Sequence, residues 1–366
     1  MRLGVEAAVV RNRLVRGDVD VNDGRIVEVG LTPVTNGRIA VPGFVDLQVN
    51  GFGGVDFLTA SREDYARAGE ALLATGVTAY QPTLITASED AVVDALGEVP
   101  RDGPGPRVLG VHLEGPFISA ERPGTHPLAY RSDPDLARLD RLLDAGPVTE
   151  MTLAPELPGA DVLIARLRER GVVVSAGHTN ASAAEARRAF DLGVTSVTHL
   201  FNEMRPLRTR DPGIVGVALT RAEVVVTLIV DGHHVADETV KLVWECAAGR
   251  LALITDAIAA AGVGDGTYRL GEVAVAVADG RAPTSADGTL AGTVLSMIEA
   301  VRNLHGLGVP LDEAVGAATS VPARLLARTD VGVLDEGSPA DIVVLDDRLE
   351  IVAVLCGGEA GVVARG

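Results

Sequence analysis

Apolar runs alternate with amphipathic stretches through most of the chain. Eight runs rich in Val, Leu and Ile end in a polar residue or glycine, at residues 44–49, 77–80, 108–111, 148–153, 172–175, 196–198, 224–230 and 251–254. Most of the gaps between them have helix-like sequence, as in 61–75, 161–170, 181–192 and 237–248. Strands that alternate with helices favour parallel βαβ units, and eight such units predict an α/β fold of the (β/α)8 TIM-like barrel type.

Short β-rich segments are predicted at both ends of the chain. Residues 1–42 contain Val/Ile strands broken by turn signals at 22–25 and at Asn36-Gly37, which predict small antiparallel hairpins. Near the other end, the apolar runs 342–345 and 351–355 follow a turn rich in Gly and Pro. We therefore expect a small β-sandwich subdomain built from both termini. The chain then divides into residues 1–42, a barrel at 43–328, and residues 329–366.

Two further helices are expected between the eighth strand and the C-terminal β segment. One would contain Met297, Ala300 and Val301, and the other would lie within residues 310–328. This second helix would lead the chain back to the β subdomain.

Composition narrows the class of protein. A chain of 366 residues allows one large barrel with an appendage, or two ordinary domains. Apolar residues make up 47% of the chain but aromatic residues only 3%, which suits Val-rich strands packed against Ala/Leu helices. A net charge of −18 argues against a wide nucleic-acid interface, because phosphate backbones are bound by clustered Lys and Arg.

The sequence predicts neither export nor membrane insertion. The first residues lack the continuous apolar core and cleavage site of a signal peptide, and the longest apolar runs are too short to span a bilayer. Cys246 and Cys356 lie far apart, which predicts neither a disulfide framework nor a cysteine metal site. We expect a soluble, cytoplasmic protein with no membrane partner.

Histidines cluster at the ends of the predicted strands. Only His305, in a predicted helix, lies elsewhere. The other six follow or end the apolar runs: His112, His126, His178, His199, His233 and His234. In a barrel these strand ends form the face on which active sites are built.

Three of these strand ends predict a metal site. Glu114 in the segment HLEGPF, His178 in SAGHTN and His199 in VTHLFN would project from different strands toward one centre. Oxygen and nitrogen donors suit Zn²⁺ or another borderline divalent ion, and three protein ligands leave a position for water or substrate. The alternative is a set of separately hydrogen-bonded polar residues.

Asp256, at the end of the eighth run, is the candidate general base, with a helix N-cap as the structural alternative. Gln48 and Asn50 share a face of the first strand by their spacing of two. Because amides bind transition ions poorly, this pair predicts a single metal and a role in orienting water or substrate. Asp46 and His112 are expected to have structural parts.

Arg210 lies in the basic loop RPLRTRDPG after the sixth run. A guanidinium group beside a metal site suits a phosphate or carboxylate on the substrate. A solvated surface loop is the alternative.

Taken in order, the motifs resemble those of the N-acetylglucosamine-6-phosphate deacetylases of the amidohydrolase superfamily. The matching segments are PGFVDLQVNGFGGVDF, HLEGPFIS with GTHP, TLAPELPGA, SAGHTNA, THLFNEM, DGHH, LITDA, DGTLAGT and GSPADIVVLD. The resemblance covers most of the chain. It implies hydrolysis of the acetamide of N-acetylglucosamine 6-phosphate to acetate and glucosamine 6-phosphate.

The resemblance also implies roles for individual residues. Glu114, His178 and His199 would hold one divalent metal ion, Zn²⁺ first, with Fe²⁺, Co²⁺ or Mn²⁺ as alternatives, and Asp256 would be the acid/base. His126 would contact the reacting carbonyl. The substrate-binding set would comprise Gln48, Thr125, His126, Asn202, Glu203, Arg210, Asp231, His234, Leu290, Ala291 and Gly292. In family members the Arg and the DGxH histidine can come from the partner subunit, which implies a homodimer or a dimer-based oligomer.

Two positions depart from the family pattern. Gln48 and Asn50 match its one-metal members instead of the His-x-His of two-metal members, and Glu203 stands where Ala is usual. If the Glu203 side chain faces the pocket, it places an acid near the phosphate. Two other functions stay open: deacetylation of N-acetylgalactosamine 6-phosphate or another acylated amine, and inert binding of a sugar phosphate on the same fold.

Overall fold

Short strands and helices alternate through most of the chain in the computed structural model, which describes residues 1–103, 105–280, 284–286 and 288–363. The strands in these ranges are β1 (Ala7–Val10), β2 (Arg13–Arg16), β3 (Asp18–Asn22), β4 (Arg25–Leu31), β5 (Ile39–Pro42), β6 (Phe44–Val49), β7 (Gly51–Phe52), β8 (Val55–Asp56), β9 (Val77–Ile85), β10 (Arg107–Val108), β11 (Val111–Glu114), β12 (Val148–Leu153), β13 (Val173–Ala176), β14 (Ser196–Val197), β15 (Val225–Leu228), β16 (Leu251–Leu253), β17 (Gly266–Leu270), β18 (Val273–Val277), β19 (Ile342–Leu345), β20 (Ile351–Cys356) and β21 (Glu359–Val363).

The helices in the same ranges are α1 (Arg62–Ala74), α2 (Glu89–Glu98), α3 (Leu136–Ala145), α4 (Ala160–Glu169), α5 (Ala183–Leu192), α6 (Gly213–Thr220), α7 (Asp237–Ala247), α8 (Met297–Gly306), α9 (Leu311–Ala317) and α10 (Ser320–Leu325). Asp287 of the DGTLAGT motif and residues 364–366 of the predicted C-terminal segment lie outside the described residues.

Eight parallel strands form the barrel. Each of β6, β9, β11, β12, β13, β14, β15 and β16 pairs with the next in this order. The ring closes between β16 and β6, where the backbone N–H of Asp256 donates to the carbonyl of Gln48 (2.9 Å) and Val49 forms a parallel bridge with Ala257. The predicted eight-stranded barrel is therefore confirmed.

The third barrel strand is interrupted near its beginning. Gly110, at φ +91°, separates β10 from β11, and a Cβ added there would lie 2.4 Å from the Thr149 side chain. Only glycine allows this approach. Beyond the interruption, β11 runs to Glu114, which is its last residue.

Hydrophobic burial explains why these segments form strands and helices. Every residue of β6, β9 and β15 is buried, as expected for parallel strands covered on both faces. Several of the surrounding helices begin at Ser caps, for example Ser61 before α1 and Ser182 before α5, each in a capping box with the acid three residues on. None of the helices in the described ranges is long and apolar enough to cross a membrane.

A separate six-stranded sheet combines both ends of the chain. Its order is β2, β1, β5, β19, β20 and β21, so N-terminal strands pair with C-terminal ones. The β3–β4 hairpin packs on this sheet, since Val19, Val21 and Ile26 share an apolar cluster with Ala40 and Ile342. The predicted joint subdomain is therefore present, whereas the boundaries drawn at residues 42 and 328 stay predictions.

The hairpin predicted at Asn36-Gly37 is wrong. Strand β5 pairs parallel to β1, with Ala7 opposite Ile39, so the chain crosses over instead of folding back. The Asn36 side chain donates to the Gly4 carbonyl (2.8 Å), and the Gly37 N–H donates to the Glu6 carboxylate (3.0 Å). Asn36 and Gly37 therefore make the local hydrogen bonds of a turn. The pairing of β5 is nevertheless set by β1 and β19, its two neighbours in the six-stranded sheet.

Candidate metal centre and active site

Three buried side chains from three strand ends converge at one point. Glu114 ends β11, while His178 and His199 lie two residues beyond β13 and β14. Oε1 of Glu114 lies 3.0 Å from Nε2 of His178 and 2.8 Å from Nε2 of His199, and the two Nε2 atoms are 3.2 Å apart. This trio is the one group within the described chain whose His, Cys, Asp or Glu ligand atoms meet closely enough to hold a metal ion.

The donor chemistry of this trio fits a divalent cation. Nδ1 of His178 faces the Arg122 carbonyl at 3.1 Å and must donate its proton there, which leaves an unprotonated Nε2 pointing at the Glu114 carboxylate. Burial opposes ionisation of Glu114, but the adjacent imidazoles of His178 and His199 outweigh burial and hold the pKa of Glu114 well below the usual range. The Glu114 oxygen and the two Nε2 atoms thus bring lone pairs close together with too few protons to form a hydrogen bond at every contact. A cation bound between them stabilises this arrangement.

The backbone at these strand ends is strained. His178, His199 and Asp256 have φ values of +47°, +33° and +49°, in the left-handed region that non-glycine residues rarely adopt. Such conformations cost on the order of 1–3 kcal/mol each and persist where the surrounding structure imposes them. Three of them on residues around one point indicate a functional site.

Asp256 lies beside the trio with one carboxylate oxygen already fixed. Its Oδ1 accepts hydrogen bonds from Nε2 of Gln48 (3.1 Å) and Nδ2 of Asn50 (2.7 Å). Burial, followed by the nearby charge of Glu114, raises the pKa of Asp256 to about 6. The side chain lines the pocket and can accept a proton near neutral pH.

His126 lies across from the trio as a neutral ring. Its Nε2 is 3.8 Å from Oε2 of Glu114, and burial lowers its pKa to about 3. The backbone N–H of Thr86 donates to its Nδ1 (3.4 Å), and the Thr86 hydroxyl lies 2.9 Å from the same atom; with Nδ1 as the acceptor, the ring carries its proton on Nε2. His126 therefore directs an uncharged hydrogen-bond donor toward the pocket.

These residues surround a pocket of about 230 Å³. Among the predicted substrate-binding residues, those on its wall are Thr125, His126, Asn202, Glu203, His234, Leu290 and Gly292. Asn50 also lies on the wall. No Lys or Arg belongs to the described lining, so the wall has carboxylates but no fixed cation.

Four predicted substrate-binding residues lie off this wall. Gln48 is buried behind Asp256, and Asp231 accepts a hydrogen bond from Nδ1 of His234 (2.7 Å). The side chain of Ala291 is fully buried in the apolar cluster under the β17–β18 hairpin, between the wall residues Leu290 and Gly292. Arg210 is exposed on its loop and does not reach the pocket of its own chain.

Sequence reasoning assigned no role to Glu156 or Thr86. The Glu156 carboxylate accepts from the Thr179 hydroxyl (2.5 Å) and the Asn180 N–H (2.6 Å), and so holds the two residues after His178. Glu156 and Thr86 each follow the end of a barrel strand, β12 and β9 respectively. Their position at strand ends was the one signal in the sequence, since their partners are known only once the strands are assembled.

The family model of the amidohydrolase family matches residues 39–361. The chain belongs to the amidohydrolase family. It is 40% identical over 341 residues to N-acetylglucosamine-6-phosphate deacetylase of Rattus norvegicus, which covers 88% of this chain and 83% of that protein. It is also 36% identical over 351 residues to N-acetylgalactosamine-6-phosphate deacetylase of Escherichia coli O157:H7, with 93% of each chain covered.

A solved deacetylase structure matches the whole fold. The N-acetyl-D-glucosamine-6-phosphate deacetylase mutant from Mycobacterium smegmatis, in complex with N-acetyl-D-glucosamine-6-phosphate, superposes with a TM-score of 0.94 at 36% identity and 99% coverage of both chains. The predicted fold and the predicted resemblance to this group of deacetylases are therefore confirmed.

Proposed function

We propose that the protein hydrolyses N-acetylglucosamine 6-phosphate to glucosamine 6-phosphate and acetate. The observation that carries the proposal is the buried Glu114, His178 and His199 trio with Asp256 beside it in one pocket. The deacetylases that resemble the chain over most of its length support the substrate.

Glu114, His178 and His199 would hold one divalent ion. When bound, it supplies Lewis acidity that polarises the acyl carbonyl and lowers the pKa of water. We infer Zn²⁺, because one carboxylate and two imidazoles match its catalytic sites, with Fe²⁺, Co²⁺ or Mn²⁺ as alternatives. Gln48 and Asn50 donate their side-chain amide protons to Asp256 and do not act as metal ligands, which supports a single ion.

The residues around the trio perform the proton transfers. Asp256 takes the proton of the attacking water and then gives it to the departing amine, so one carboxylate serves both halves of the reaction. The Nε2 proton of His126 stabilises the negative charge that develops on the carbonyl oxygen. Asn202, Thr125 and the loop Leu290-Ala291-Gly292 would position the sugar.

The phosphate needs a cation that the described pocket wall of one chain does not supply. Arg210 of a second copy would supply this cation. His234, whose ring Asp231 orients, would bind the phosphate together with that Arg210. We infer a homodimer or a dimer-based oligomer on this ground. A cytoplasmic location stays a prediction.

Measured acetate release tests the proposal. Purified protein loaded with Zn²⁺ should release one acetate per N-acetylglucosamine 6-phosphate consumed, and the same protein stripped of metal should not. No release above the stripped control, with metal content verified, would contradict the proposed activity and favour an inert sugar-phosphate binder.

N-acetylgalactosamine 6-phosphate is the second candidate substrate, because the Escherichia coli relative that carries that name is 36% identical. The two epimers, compared at equal concentration, separate the alternatives. A higher kcat/KM for the galactose epimer would replace the proposed substrate.

A further inference from the structure

One carboxylate on the pocket wall has no part in the proposed chemistry. Glu203 is half-buried, and its backbone lies in the left-handed region at φ +50°. Its carbonyl accepts from the Thr179 N–H (3.0 Å), which fixes its place beside the end of β13. This backbone contact holds Glu203 on the pocket wall.

The side chain of Glu203 leans toward the loop that contains His126. A Cβ added at Gly124 would lie 2.9 Å from Cγ of Glu203 and 3.4 Å from Cε1 of His178. Gly124 leaves space for both side chains. The Glu203 side chain and the ring of His178 therefore both border the space left at Gly124 on the pocket wall.

The charges around Glu203 are unbalanced. The described pocket wall has three carboxylates, of Glu114, Asp256 and Glu203, and no Lys or Arg. The first two serve the metal ion and the proton transfers. Within the described residues, the Glu203 carboxylate has neither an ion pair nor a hydrogen bond, and the nearby Arg205 is paired with Asp211 (2.6 Å).

A carboxylate in this position selects for a substrate without negative charge nearby. It accepts hydrogen bonds from sugar hydroxyl groups, which are neutral donors. It repels a phosphate group through a Coulomb interaction that grows in a partly desolvated pocket and weakens as salt is added. The same residue thus favours a plain sugar and disfavours a phosphorylated one.

We propose that Glu203 sets the charge preference of the pocket and gives the enzyme a second class of substrate, N-acetylated amino sugars without phosphate. This inference rests on the proposed deacetylase function. The reaction is the same hydrolysis: the oxygen of water forms the new C–O bond, the amide C–N bond breaks, the leaving nitrogen takes one proton of water, and the other proton is released as acetic acid ionises to acetate. The products are acetate and the free amino sugar.

The test compares kcat/KM for N-acetylglucosamine 6-phosphate and for N-acetylglucosamine in the zinc-loaded enzyme. Glu203→Gln removes the charge but keeps an acceptor oxygen, so we expect the ratio of phosphorylated to plain substrate to rise about tenfold. Added salt should reduce the difference in this ratio between Glu203→Gln and the unchanged enzyme, because salt screens the repulsion by Glu203 while the other charges of the site are common to both proteins. A general packing role for Glu203 would not produce that salt effect.

Glu272→Gln is the matched control, because Glu272 lies close to the pocket residue Leu270 but is exposed and bonded to the Tyr130 hydroxyl (3.1 Å). It should leave the ratio unchanged. If both proteins turn over the phosphorylated sugar but have the same ratio of kcat/KM for phosphorylated to plain substrate, the inference about Glu203 is overturned while the proposed function stands. An equal change in Glu272→Gln would also overturn it, and no acetate from either sugar would overturn the proposed function together with it.

Discussion

Replacement of Glu150 by Gln should make the stability of the protein less sensitive to pH, so that the difference in free energy of unfolding shifts in favour of Gln as pH rises. Glu150 lies in β12 with 2% of its surface exposed, and its Oε2 has no hydrogen-bond partner in the described part of the chain. Burial raises the pKa of this carboxyl group from 4.5 to about 8. Around neutral pH the folded state therefore keeps a proton that the unfolded chain releases.

The magnitude follows from the two pKa values. Below the unfolded value of 4.5 both states are protonated and the stability contribution of Glu150 is complete; it is lost progressively as pH rises toward 8. Each pH unit in this window lowers the free energy of unfolding by about 1.4 kcal/mol. Between about pH 5.5 and about pH 7.5 the loss is roughly 3 kcal/mol, and Gln, which does not titrate, avoids it.

Urea unfolding of both proteins at these two pH values measures the effect. The difference in free energy of unfolding between Glu150→Gln and the unchanged protein should shift by roughly 3 kcal/mol in favour of Gln at the higher pH. Glu245→Gln, which removes an exposed carboxylate from α7, is the matched control and should show no such shift. A difference for Glu150→Gln that stays constant with pH would refute the reasoning, since the carboxyl group would then have to be solvated in the folded barrel.

Three further substitutions test the candidate site. Asp256→Asn should keep its metal, by elemental analysis, while kcat falls about 10²–10⁴-fold; metal loss with unchanged turnover per bound ion would make Asp256 a ligand. Arg210→Ala should mainly raise KM for the phosphorylated sugar, and equal effects on phosphorylated and plain sugars would remove Arg210 from phosphate binding. Glu156→Gln should weaken metal binding about 10–100-fold in a chelator competition, because Glu156 holds the residues after His178; unchanged affinity would show that this support is dispensable.

The barrel could be predicted from the chain because its signals are local. Each run of Val, Leu and Ile buries both faces of a parallel strand, and the Ser caps mark where helices begin. The prediction failed at Asn36-Gly37, where the local turn signal was sound but the pairing of β5 with β1 depends on strands far away in sequence. Sequence periodicity carries no information about which distant strand becomes the neighbour.

In the candidate site too, the residues could be predicted from the sequence but their mutual contacts could not. Polar residues at strand ends pointed to Glu114, His178, His199 and Asp256, since the carboxyl ends of barrel strands share one face. The sequence could not show that Gln48 and Asn50 both bond Asp256, because those contacts join residues about two hundred positions apart.

The sequence by itself determined the strand and helix pattern, the identity of the metal-ligand types and the family to which the chain belongs. Tertiary structure alone decided the distances that make three side chains a metal site, and the burial that raises the pKa values of Asp256 and Glu150. It also decided that Glu203 lies on the pocket wall while Arg210 lies outside it. Residue type and local pattern are properties of the chain, whereas distance and desolvation arise only when remote segments pack together.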